Sequence, residues 1–217
     1  MNVLGRTTLL KAEFFNRDPR TVARALLGKL IIRKTPHEML AGRIVETEAY
    51  LGENDAAAHS AAGKTARNAV LFGPPGIAYV YFIYGNHYCL NVSCMPDGVA
   101  GGVLFRALEP VSGIREMAAA RDVEIVEDAD LQKISILKKI SSGPGRLAGA
   151  LGVTRERDNE KSFVSARSDL RIVDDGYRVR RILVTPRIGI VKAAEEPLRY
   201  FIAGNLFVSG PRQVPAE

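Results

Sequence analysis

Glu46, Glu48 and Tyr50, two residues apart in RIVETEAYLGENDAAAHS (residues 43–60), are the side chains best equipped for chemistry in this sequence. Carboxylates beside a phenol can take a proton from water, stabilise a developing positive charge or pair with arginines. The segment begins apolar and turns acidic, like a β-strand that delivers side chains to its end. Faces alternate along a strand, so Glu46, Glu48 and Tyr50 share one face and Val45, Thr47 and Ala49 the other. An edge strand with a solvated acidic face has the same pattern. Spacing does not choose between the two glutamates. His59 closes the segment, where an Ala-rich setting equally suits a surface residue or a helix cap.

The next group is IAYVYFIYGNHYCLNVSC, residues 77–94. Aromatic and β-branched residues on two arms around Gly85-Asn86 predict a β-hairpin with Tyr84 at or beside its tip. An aromatic ring at an exposed tip should touch something. If Tyr81 and Asn91 are to face one pocket, the hairpin needs an odd register, such as a three-residue loop, because a two-residue turn puts them on opposite faces. Arg106, on a strand of apolar neighbours, needs a buried partner, and Glu48 or a phosphate would serve. Gly143 to Arg146 reads as a tight turn offering backbone N–H groups at a helix start, a plausible phosphate seat but not a P-loop. Arg187 is either a plain strand arginine or a further contact. His37 and His87 read as structural or exposed.

The elements that must position these residues are punctuated clearly. Asp18 is placed as an N-cap, Pro19 as the first helical residue and Gly28 as the left-handed stop. Strands are predicted over 29–33, 41–50 and 103–107, with short strands in 170–190 and 200–208. A helix is predicted over 111–121, an acidic exposed connection over 123–130 and an irregular loop over 52–68. Without repeats or linkers, residues 1–217 read as a single α+β domain: a curved, mostly antiparallel sheet flanked by helices, with a protruding hairpin.

Nearly half of the 217 residues are hydrophobic, ample for a core without metal or disulfide. No apolar run is long enough to span a membrane and no leader is visible, so a cytoplasmic chain is expected. Cys89 and Cys94 form a lone C-x4-C and, with three histidines, a poor zinc set; free thiols are expected, with no metal and no cofactor. The net charge is +6. Between residues 141 and 192 there are eleven Lys and Arg against six Asp and Glu, and nine of the eleven are Arg. Arginine forks onto phosphate oxygens better than lysine does, which suits a polyanionic partner.

IVETEAY, AAHS, YVYFIYG, CLNVS, FRALEP, SGPGRL and TPRIGI follow one another through nearly the whole chain. In these motifs and their order the chain resembles the alkyladenine (3-methyladenine) DNA glycosylase family, of the type related to the mammalian alkylpurine enzyme, in a compact bacterial-like form. From the short N-terminus, the regulatory or targeting extension of eukaryotic relatives is expected to be absent. The resemblance implies a monofunctional enzyme that flips a damaged purine out of duplex DNA and hydrolyses its bond to deoxyribose. Glu48 would be the general base and Arg106 would hold the backbone or the catalytic water. Tyr50, His59, Tyr81 and Asn91 would form the base pocket, and Tyr84 would fill the gap in the stack. Gly143, Arg146 and Arg187 would be DNA contacts. The partner implied is double-stranded DNA bearing damaged purines, met by a monomer at the nucleoid. Alkylated purines are cationic, which suits aromatic walls; glutamate without an amine nucleophile suits hydrolysis alone. The rivals are a non-catalytic nucleic-acid-binding module of the same fold and a small-molecule hydrolase using the glutamate pair.

Overall fold

The acidic segment forms the longest strand of the sheet, β3 (Met39–Tyr50). The computed structural model describes residues 5, 7–83, 85 and 87–210. Among them the other strands are β1 (Thr8–Leu9), β2 (Leu30–Lys34), β4 (Ala78–Ile83), β5 (His87–Ser93), β6 (Gly102–Ser112), β7 (Leu170–Asp174), β8 (Ile182–Thr185) and β9 (Arg199–Ile202). All pair antiparallel in the order β1-β7-β2-β3-β6-β5-β4, with β9 joined to β3 and β8 to β9. The sheet is open, flanked by short helices, and the class is α+β.

β3 is not an edge strand. Its first half pairs with β2, Glu46 to Glu48 pair with β9, and β6 follows its other side almost throughout. The alternation predicted for residues 45–50 holds. Val45 and Ala49 enter the main core, and the Thr47 hydroxyl donates to the Ala23 carbonyl of α2 (Pro19–Leu26) at 3.0 Å, while Glu46 and Glu48 both meet Arg106 on the other face. Near Glu46 the register with β6 shifts: Ala107 opposes Glu46, Phe105 opposes Thr47, and Arg106 is the extra residue between them. A bulge of this kind re-aims a side chain, and here the guanidinium reaches both glutamates.

Asp18 caps α2 by accepting from the Arg20 N–H, Pro19 is its first residue, and Gly28 follows at φ +86°. The apolar side of α2 covers β3, so Val22 and Leu26 are fully buried with Phe105 and Leu108 from β6. The remaining helices are α3 (Ile114–Ala119), α4 (Ile134–Ser141), α5 (Pro144–Ala150) and α6 (Arg155–Asp158), after the opening turn α1 (Ala12–Phe15). With α5 packed on β5 and β6, the turn before it stands across from β3.

Several boundaries differ from the sequence reading. β6 runs on to Ser112 through a register shift that leaves Val111 unopposed next to Pro110, and α3 starts only after Gly113 at φ +67°. The acidic connection ends in a helical turn in which Asp130 is buried and accepts from the Val126 and Glu127 N–H groups. The helix α4 was unforeseen, since ISILKKIS mixes β-branched and apolar residues without a cap.

Candidate active site

Glu48, fully buried, lies on the wall of a cavity of about 420 Å³. Its Oε1 accepts from the Ile188 N–H at 2.8 Å and faces Arg106 Nη1 at 3.1 Å. Its Oε2 accepts from the Tyr50 hydroxyl at 3.0 Å. Burial pushes the Glu48 carboxyl above the ordinary glutamate range, and Arg106 with the two hydrogen bonds offsets only part of that push. Glu46 has a different setting. Its Oε1 accepts from Arg106 Nε at 3.1 Å and Arg199 Nε at 2.6 Å, its Oε2 from the Ser209 N–H at 2.6 Å, and it is not part of the cavity lining. Equal in spacing, the glutamates separate in space: Glu46 ties β3 to β6, β9 and the C-terminal segment, and Glu48 faces the cavity.

Tyr50 and Tyr81 line this cavity and also a smaller chamber of about 160 Å³ beside it. His59 and Asn91 line the smaller chamber alone. Tyr81 and Asn91 share a face because Ile83 pairs with His87 and Tyr79 with Asn91, which leaves three residues in the hairpin loop. The odd register is present. Tyr84 lies outside the described residues. The Asn91 amide donates to the Tyr79 carbonyl at 3.1 Å, which fixes its orientation. His59 meets Tyr81 edge to face at 4.5 Å, and its Nδ1 is 2.9 Å from the Tyr79 hydroxyl. Burial, and then Arg67, holds the imidazole below its ordinary pKa, which favours its neutral form.

Across the larger cavity stands the turn from Gly143 to Arg146. Gly143 sits at φ +130° before Pro144, which lacks an N–H, so the turn offers fewer donors than the sequence suggested. Arg146 is exposed and reaches back toward the Ser142 carbonyl at 3.4 Å. His87, read as structural or exposed, lines the cavity and packs on Gly145.

Arg187 is not at the surface. Its side chain is fully buried, pairs with Asp55 at 2.5 and 2.9 Å, donates to the Ala49 carbonyl at 3.1 Å and stacks 4.7 Å from the Tyr50 ring centroid. The guanidinium is held by its two terminal nitrogens, with Nε unpartnered, and stands as a buttress behind Tyr50. The sequence reading also missed Tyr79, Ile188, Asp55 and Arg199. Asp55 had one available signal: a buried arginine in TPRIGI requires a carboxylate elsewhere.

Among the described residues, no three His, Cys, Asp or Glu side chains cluster as a metal-binding group, and no helix is long and apolar enough to cross a membrane. The cavity thus joins a buried, partly destabilised carboxylate to tyrosine walls and an arginine. Such a site can activate water and hold a flat, electron-poor ring.

Residues 13–206 match the family model described as methylpurine-DNA glycosylase. A relative from Koribacter versatilis (strain Ellin345), named "Putative 3-methyladenine DNA glycosylase", is 64% identical over 209 residues, covering 96% of this chain and 97% of its own. Relatives of the same name from Burkholderia cenocepacia (strain HI2424) and Methanocella arvoryzae (strain DSM 22066 / NBRC 105507 / MRE50) are 45% and 44% identical. They cover 94% and 88% of this chain, and 92% and 89% of their own lengths.

Proposed function

This chain belongs to the methylpurine-DNA glycosylase family, whose members hydrolyse N-glycosidic bonds, and from that premise we propose that it excises damaged purines from duplex DNA by a hydrolytic route through Glu48. The observation that carries this reading is the placement of Glu48: a fully buried carboxylate on the cavity wall, touched by Arg106 and Tyr50. The lesion nucleotide is flipped, at a cost of about a few kcal/mol in lost stacking. The base enters the smaller chamber between Tyr50, Tyr81 and His59, and the sugar remains in the larger one beside Glu48. Asn91, its amide held, restricts which purine edges enter. Tyr84 serves as the wedge that refills the stack, and Gly143 and Arg146 stand where the backbone passes.

Chemistry follows from that placement. Cleavage develops positive charge on the sugar, which an ionised Glu48 stabilises while it draws a proton from the attacking water. Arg106, bound to both glutamates, favours the ionised form of Glu48 and orients it. No amine nucleophile is needed, and the product is an abasic site. The enzyme works as a monomer on nucleoid DNA in this reading. Duplex oligonucleotides carrying one 3-methyladenine-type or hypoxanthine lesion test it: abasic sites should form at the lesion. Salt-sensitive duplex binding with no release of either base would leave only a nucleic-acid-binding module.

The pH dependence follows from the upward shift of Glu48. A general base must be ionised, so the single-turnover rate on a cationic lesion is expected to rise with pH as Glu48 loses its proton. The midpoint should lie above the ordinary glutamate value of 4.5. A limb at or below that value would show that another group controls the step.

A further inference from the structure

The ring of Tyr50 has two faces with different neighbours. One belongs to the cavity, and against the ring stands Arg187, which is absent from the cavity lining. A guanidinium is thus stacked 4.7 Å from the centroid of a ring that, in the function proposed above, holds the base. Left alone, this cation would oppose a positively charged purine on the other face. Asp55 meets it with both carboxylate oxygens and is itself fixed by the Leu51 and Ala57 N–H groups at 3.1 and 3.0 Å. The surrounding charges are balanced in the same way, since Glu46, Glu48 and Asp55 face Arg106, Arg199 and Arg187.

We propose that Asp55 is a positioning residue for lesion choice: by neutralising Arg187 behind Tyr50, it lets the pocket accept cationic alkylated purines as well as neutral ones. The inference rests on the glycosylase reading of this cavity. Burial alone would push the Asp55 carboxyl up, but the hydrogen bonds from Arg187 and the backbone outweigh it, so the aspartate stays ionised. Arg187 likewise keeps its charge against burial because Asp55 holds it.

A stacked base would lie about 3.5–4 Å from the open face of Tyr50, hence about 8 Å from the guanidinium. Charges at that separation in a partly screened interior interact strongly enough to change a rate about tenfold. Asp55→Asn keeps the shape and leaves Arg187 unbalanced. Single-turnover rates, measured on the alkaline side of the Glu48 limb, should therefore fall about tenfold more for a cationic 7-methylguanine duplex than for a hypoxanthine duplex. Adding Arg187→Met to Asp55→Asn should restore the parental ratio of the two rates. A purely structural role moves both lesions together, leaves the ratio untouched and overturns the inference. Where Asp55→Asn does not fold, Arg187→Met alone decides, because it leaves a negative charge behind the ring and should raise the preference for the cationic lesion; an unchanged or lower preference overturns the inference. Parent protein that releases neither base would instead bring down the glycosylase reading itself.

Discussion

Glu48→Gln is expected to slow base release about 10²–10⁴-fold while duplex binding stays within a few-fold of the parent. The magnitude is that of losing a positioned general base, and the charge that stabilises the sugar cation is lost with it. Binding should survive because Glu48 is buried in the cavity wall and adds nothing to the outer surface. The amide can still accept from the Ile188 N–H and from Arg106, and Arg106 keeps its contact to Glu46. Toward Tyr50 the polarity reverses, so the hydroxyl must turn to accept. Stability supplies a second signature. The folded-state pKa of Glu48 is raised, so its stabilising contribution is full below the unfolded value and is lost as pH rises through the folded one. Above its folded-state pKa the fold therefore bears the cost of a buried charge, and Gln should melt no lower than the parent there, while below it that advantage disappears. A variant that melts like the parent and still excises at the parental rate would remove Glu48 from the chemistry.

That Glu48 shares a face with Tyr50 was legible in the sequence because a strand repeats every two residues and the segment is long enough to show it. The helix around residues 19–26 was equally plain, since Asp18, Pro19 and Gly28 each perform a local task. The hairpin register could be inferred because one pocket had to receive both Tyr81 and Asn91. Other features have no local trace. Asp55 and Arg187 are 132 residues apart, and Glu46 and Arg199 are 153 apart, so only the folded sheet brings them together. The bulge at Arg106 is also invisible, because nothing in FRALEP marks a residue as unopposed. The burial of Arg187 was hidden for the same reason: an arginine just past a short strand carries no sign of which way it will point, and its partner lay in a loop that read as irregular. The choice between the glutamates is the sharpest instance, since their spacing made them equivalent and their tertiary partners do not.

Those partners make Glu46 the residue whose loss should damage the fold most. Glu46→Ala removes the acceptor shared by Arg106 Nε and Arg199 Nε and strands the Ser209 N–H. Arg199 would keep the Thr185 hydroxyl and the Ser209 carbonyl among its partners, and Arg106 would keep Glu48. Breaking a buried pair from one side typically costs about 3–5 kcal/mol, because the remaining charge is left uncompensated. In a domain of this size that corresponds to a melting point lower by about 10 °C. Glu46→Gln should lose less, since the amide oxygen can still accept from one arginine and the shape is kept. Activity should fall only as far as Arg106 drifts from Glu48, and Gln should recover much of it. Thermal melts and single-turnover rates of the two variants, read together, separate a structural carboxylate from a chemical one. If Glu46→Gln melted like the parent yet abolished base release, the general base would be Glu46, and Glu48 would become the residue that orients Tyr50.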